Sequence, residues 1–258
     1  MTGSAAPDTR RTWWSRPEVR GVFLLWLVLT AALVIAALVV PDRLMGAPAS
    51  NTMGAVEDTF TVFSVAAAPV AALVWAIAVY SLLRWRRRGA WKPGDDDGPP
   101  IRGSRMATGT WIGGSAVLCL FLLVWGMAEL QAVAAPAQAA HPVTVKVTGE
   151  QWVWSFKYPG HPGVETHELY LPVDRPVVFK VNSYDVIHSF WLVQLGVKID
   201  ANPGQTTTTQ TVPTRLGRYD VRCAELCGLL HADMQTAVHV VTPQAYAAWL
   251  RAQQGGSG

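Results

Sequence analysis

The sequence predicts a membrane-anchored all-β protein: three transmembrane helices, then a Greek-key β-sandwich or barrel. Three observations carry that expectation. Half of the 258 residues are hydrophobic and only 15% are charged, well below the quarter usual in soluble domains. Three long stretches in the first half hold no charged residue, and after residue 141 the apolar residues change to alternation. Three Cys are too few for a disulfide scaffold.

The first expected element is a basic cytoplasmic N-terminus over residues 1–21. Val22–Val40 is an uncharged run of 19 residues, bounded by Pro41 and Asp42. Phe60–Leu83 adds 24 uncharged residues before Arg84, and Met106–Ala128 adds 23 before Glu129. A helix of about 20 residues crosses a hydrocarbon core of about 30 Å, so spans are expected at 22–40, 60–83 and 106–130. The first could instead be a signal peptide, because basic residues precede it and Gly46-Ala-Pro-Ala49 follows. Its apolar run exceeds a usual signal core, which favours a retained anchor.

Loop charge orients the spans. Arg10, Arg11, Arg16 and Arg20 precede the first span, and Arg84, Arg86, Arg87, Arg88, Lys92, Arg102 and Arg105 lie between the second and third. The intervening loop has Arg43 beside Asp42, Glu57 and Asp58. Both basic segments therefore belong in the cytoplasm, and an odd number of spans puts residues 135–258 outside. Trp13, Trp14, Trp85, Trp91 and Trp111 lie near span ends, where interfacial anchors sit. The Pro/Gly/Asp-rich stretch at 92–100 reads as a solvated linker, and 251–258 as a flexible tail. Twelve of the 21 Lys and Arg precede residue 141, beside apolar segments, while the remainder of the chain has nine bases and nine acids. Nucleic-acid binding is not indicated.

In the exported part, 141–250, residues His141–Lys157 alternate, with Val143, Val145 and Val147, then Trp152, Trp154 and Phe156. Further strands are expected at Glu168–Leu171, Pro176–Asn182, Ser189–Leu195, Thr206–Val212, Arg218–Cys223 and Gln235–Val241. Pro/Gly clusters separate several of them, and Tyr246–Arg251 suggests a terminal helix. About seven short strands in so short a stretch indicate a sandwich or barrel.

Chemistry concentrates in Cys223-Ala-Glu-Leu-Cys227-Gly-Leu-Leu-His231-Ala-Asp-Met234, with His188 upstream. The two Cys could form a disulfide, join both His around zinc, or be buried hydrophobes with Met234 filling core space. Ligand softness favours copper: thioether is a poor zinc ligand, while His, Cys and Met together are a copper set. A mononuclear copper site needs one thiolate. The second, four residues away, makes a binuclear centre with bridging thiolates the sensible arrangement.

The pattern Cys-x-Glu-x-Cys-x3-His-x2-Met, preceded by Asp185-Val-Ile-His-Ser-Phe190, resembles the CuA site of cytochrome c oxidase subunit II. Leu195–Gly204 and the aromatic stretch Gln151-Trp-Val-Trp-Ser-Phe-Lys-Tyr158 are similar to the same family. The resemblance spans 141–250 closely and the second and third helices by architecture. It implies a cupredoxin-like domain whose Cys223 and Cys227 bridge two coppers, with His188, His231 and Met234 as terminal ligands. Glu225 would give its backbone carbonyl to copper, leaving its carboxylate for Mg2+ or a similar ion shared with subunit I. Trp152 resembles the aromatic that receives the electron, although a strand aromatic at that position needs no such role.

The implied function is acceptance of electrons from a c-type cytochrome and delivery to subunit I of a haem-copper oxidase, within a complex that includes other oxidase subunits. Oxygen chemistry would reside in subunit I, since no span here carries a haem-ligating His and no Cys-x-x-Cys-His is present. Two features depart from the family. An acid often stands three residues before the Trp of the last span, but Thr108 precedes Trp111, leaving a proton entrance in this subunit without its acid. Members that dock a soluble basic cytochrome usually present an acidic face, and the net-neutral exported part does not announce one, so a membrane-bound or fused donor is compatible. A CuA subunit of a nitric oxide reductase could share every ligand. A membrane-anchored copper-delivery protein shares Cys-x3-Cys and a distant His, but has a thioredoxin fold and one anchor.

Overall fold

In this computed structural model the described residues are 16–44, 46–84, 103–134 and 141–255. The three expected spans are helices: α1 Pro17–Leu44, α2 Asn51–Arg84 and α3 Arg105–Ala134. Each is long and apolar enough to cross a membrane. Each also overruns its uncharged stretch, because absence of charge reports the hydrocarbon layer while backbone hydrogen bonding continues into the headgroups. Pro41 accordingly lies inside α1 and does not end it. Arg10, Arg11, Trp13, Trp14, Trp85, Trp91, the linker at 92–100 and the last three residues of the tail fall outside the described residues.

The chain forms two compact units, the first being residues 1–41 with 61–123. Within it Ala68, Ala72 and Ala76 form a buried stripe along α2, the small-residue spacing that lets membrane helices approach. Trp26 of α1 donates its indole N–H to the Pro69 carbonyl at 2.8 Å.

The second unit comprises residues 42–60 with 124–258. Its strands are β1 Val143–Glu150, β2 Val153–Lys157, β3 Glu165–Thr166, β4 Leu169–Pro172, β5 Val177–Ser183, β6 His188–Leu192, β7 Val197–Ala201, β8 Thr207–Thr211, β9 Gly217–Cys223 and β10 Gln235–Val241, followed by helix α4 at Pro243–Gly255. They make two five-stranded sheets, β3-β2-β1-β5-β8 and β4-β10-β9-β6-β7. Alternation sends Val145, Val147, Trp154, Phe156 and Phe179 of the first sheet inward, against Leu169, Leu171, Phe190, Leu192 and Val238 of the second. Phe190 stands 5.5 Å from both Trp154 and Phe179, ring centroid to ring centroid, and ties the sheets together.

Several strand expectations need correction. His141–Lys157 is a hairpin of two strands, with Val147 opposite Phe156. The apolar phase slips by one between Val147 and Trp152, which is the mark of the turn. Ser189–Leu195 is strand only to Leu192, then a 3-10 turn over Val193–Leu195. β7 and the two-residue β3 were not expected, being short runs between turn residues.

The connection between α1 and α2 belongs to this second unit. Ser50 caps α2, its Oγ accepting from the Met53 N–H at 3.0 Å and donating to the Leu195 carbonyl at 2.6 Å. Asn51 Oδ1 accepts from the Val212 N–H at 2.7 Å. The start of α2 is thus stitched to the β domain.

Candidate metal centre

Strand pairing brings the ligand types together. β6 and β9 run antiparallel with Phe190 opposite Cys223, so His188 at the head of β6 lies at the end where β9 finishes. β9 and β10 form a hairpin, and the Cys223 N–H donates to the Met234 carbonyl at 3.0 Å across its mouth. The loop between them carries Cys227 and His231. One end of one sheet therefore gathers residues 46 positions apart in sequence.

Cys223 and Cys227 are free thiols with sulfurs 3.8 Å apart, so they are not a disulfide. His188 Nδ1 lies 3.8 Å from Cys223 Sγ, and His231 Nδ1 lies 3.5 Å from Cys227 Sγ. Met234 Sδ is 3.7 Å from Cys227 Sγ. The Glu225 carbonyl oxygen is 3.2 Å from Cys223 Sγ, while its side chain is exposed. His188, both Cys and Met234 are buried and His231 is half-buried.

The donors fit a soft cation. A metal–thiolate bond of about 2.3 Å, doubled, exceeds the 3.8 Å between the sulfurs, so one ion can touch both. Burial first, and the neighbouring Cys223 second, push the Cys227 thiol up to about 11. Two thiolates side by side thus need a cation to compensate them, and thiolate with thioether selects copper.

Residues that sequence reasoning passed over set the imidazole. Asp185 Oδ1 stands 2.9 Å from His188 Nε2. The carboxylate also accepts from the Gln151 and Val186 N–H groups, each at 2.7 Å. Burial works against its charge, but these bonds together outweigh it and hold the carboxyl down at about 2. With Nε2–H given to Asp185, His188 turns its Nδ1 lone pair toward the sulfurs. The Asp-x-x-His spacing alone does not announce this bond, which only the fold discloses.

Two glycines fix the surroundings. A Cβ on Gly149 would lie 3.0 Å from His188 Cδ2 and 3.1 Å from the Trp154 ring, so its strand position must stay bare. Gly228 has φ +121°, and a Cβ there would meet Gln151 Nε2 at 2.8 Å and Trp152 Nε1 at 3.3 Å. Gln151 donates to the Cys227 carbonyl at 2.6 Å. Half-buried Trp152 therefore rests on the backbone next to Cys227, with Leu226 and Leu229 largely exposed nearby in sequence.

Fold and site together define a membrane-anchored β protein with a copper-type cluster of sulfur and imidazole donors. Residues 164–241 match the family described as cytochrome C oxidase subunit II, periplasmic domain. A cytochrome c oxidase subunit 2 from Synechocystis is 30% identical over 81% of this chain and 75% of its own length. An alternative cytochrome c oxidase subunit 2 from Bradyrhizobium diazoefficiens is 33% identical over 58% of this chain and 62% of its own. The crystal structure of the periplasmic domain of subunit II of cytochrome oxidase from Bradyrhizobium japonicum covers 45% of this chain and 96% of that one, at 33% identity and a TM-score of 0.43. The chain belongs to the cytochrome c oxidase subunit II family, with its β domain on the periplasmic side.

Proposed function

We propose that this chain is the electron-accepting subunit of a respiratory haem-copper cytochrome c oxidase. A c-type cytochrome would deliver electrons at Trp152, and they would go on to subunit I, where O2 is reduced. His188, Cys223, Cys227, His231, Met234 and the Glu225 carbonyl would hold a binuclear CuA centre. The observation that carries this reading is the chain of close approaches from His188 through both thiols to His231 and Met234, none longer than 3.8 Å. The Glu225 carboxylate, free of that cluster, would face Mg2+ or a similar ion at the boundary with subunit I.

Copper bound there would supply one-electron chemistry, with the charge shared between two metal ions. The protein supplies rigidity. Asp185 holds the His188 tautomer, and Gln151 pins the Cys227 carbonyl. Cys223 and Met234 are locked across the hairpin mouth by a backbone hydrogen bond. A donor set that cannot relax loses little energy to rearrangement when its charge changes. Trp152, packed on Gly228 beside the cluster, gives a half-buried aromatic surface from which a docked cytochrome is one residue removed from Cys227. A two-sheet sandwich also argues against the copper-delivery alternative, which has a thioredoxin fold.

Rapid mixing of the intact complex with reduced c-type cytochrome tests this reading. Copper absorbance should bleach before any haem is reduced. Haem reduction with no earlier copper phase would reject it.

A further inference from the structure

The outer face of the first sheet carries a feature that the copper site does not use. Strand register aligns one transverse row across all five strands. Glu165 lies opposite Lys157, Lys157 opposite Lys146, Lys146 opposite Lys180, and Lys180 opposite Thr208. Every member is exposed. Lys157 pairs with Glu165 at 3.3 Å, whereas Lys146 and Lys180 have no ion pair among the described residues. Like charges directly opposite each other weaken a sheet, and here three stand abreast. Alongside runs a row of neutral hydrogen-bonding groups, in which Ser155 lies opposite Thr148 and Thr148 opposite Asn182. Lys146, Lys180, Asn182, Thr206 and Thr208 line a groove of about 540 Å³.

The same face meets the end of a membrane span. On the other side of the lysine row, Val178 lies opposite Gln210. Gln210 donates to the carbonyls of Val133 and Ala134 at 3.1 and 2.8 Å. Those two carbonyls close α3, and their residues belong to the same compact unit as the sheet. The third apolar stretch ends at Glu129, so Val133 lies about 6 Å further along the helix. That distance is about the depth of the headgroup layer on one side of a bilayer. One strand repeat, about 7 Å, separates the Gln210 row from the lysine row, and a lysine side chain spans that interval.

We propose that this sheet face docks on the outer leaflet, with Lys146 and Lys180, flanked by Lys157, holding the phosphates of anionic phospholipids. The amines supply the charge, and Thr208, in the same row as Lys180, offers a hydroxyl to phosphate oxygens. Proximity to the span end distinguishes this occupant from an acidic protein segment, which would need no such placement. The proposal is independent of the copper reading.

The test uses the full chain in nanodiscs of phosphatidylcholine, with and without phosphatidylglycerol. The readout is the acetylation rate of Lys146 and Lys180 relative to Lys198, which lies on β7 in the other sheet. A lysine at an anionic surface is worth about 1 kcal/mol, or roughly fivefold. Acetylation of both should therefore fall about fivefold in the anionic discs and recover in high salt. The double variant K146Q/K180Q should co-purify with less phosphatidylglycerol while keeping its copper. An unchanged labelling ratio overturns the proposal. So does equal protection by inorganic phosphate in neutral discs, which would mean a free-anion site. Protection seen in neutral lipid only within the assembled oxidase would mean an acidic partner subunit, and also overturns it.

Discussion

Replacing Gly149 with alanine introduces a methyl group 3.0 Å from His188 Cδ2 and 3.1 Å from the Trp154 ring. Ordinary contact begins near 3.4 Å, so both rings must give way by several tenths of an ångström. Neither has room, since both are buried and their rings already meet edge to face at 5.9 Å. Overpacking of this kind costs about 1–3 kcal/mol. The loss of a glycine from the unfolded chain offsets about 0.4–1 kcal/mol of it. A net loss of about 1–2 kcal/mol is expected, which lowers Tm by about 2–8 °C for a domain of this size. The displaced imidazole should also weaken copper binding by about tenfold or more, the range seen when the groups that orient a ligand are disturbed. The measurement is thermal unfolding and copper competition against a chelator, with Gly160→Ala as control because nothing lies within 4 Å of a Cβ there. If Gly149→Ala matches that control in both Tm and copper affinity, the tight seating of His188 is not what holds the site.

Met234→Leu should keep copper bound, at a packing cost under about 1.5 kcal/mol, but shift the potential of the centre and slow onward electron flow. Cys227→Ser should abolish the binuclear site, and copper content with paramagnetic resonance on both variants separates the two roles. Trp152→Phe should slow electron uptake from the cytochrome while leaving copper content and optical spectrum intact; unchanged uptake would make Trp152 a strand aromatic only. Reporter fusions should place residues 84–105 in the cytoplasm and residue 200 outside, and finding both on one side would contradict three spans.

The spans were legible because lipid tolerates no charge over some twenty residues, which is a signal that needs no tertiary knowledge. The donor types were legible for a related reason. Cys227, His231 and Met234 sit in one hairpin loop, so their proximity is written locally. Strands with clear alternation, such as β5, could be read in the same way. Asp185, Gly149 and Gly228 could not, because what each does depends on how the folded chain places its neighbours and not on a residue pattern. A carboxylate three residues before a histidine gains meaning only when the turn folds Nε2 back onto it. A bare glycine gains meaning only when Trp154 and His188 are seen to fill the space above it. Likewise the lysine row is invisible in sequence, since its members lie on β2, β1 and β5 and meet only through register.

The claim that two thiolates, two imidazoles and a thioether form one binuclear copper centre is tested most directly by copper per chain together with its paramagnetic resonance spectrum, on the full-length protein loaded with copper. Two coppers per chain are expected, with the hyperfine pattern of one unpaired electron shared by both nuclei. One metal ion per chain, zinc bound in preference to copper, or hyperfine splitting from a single nucleus would contradict it.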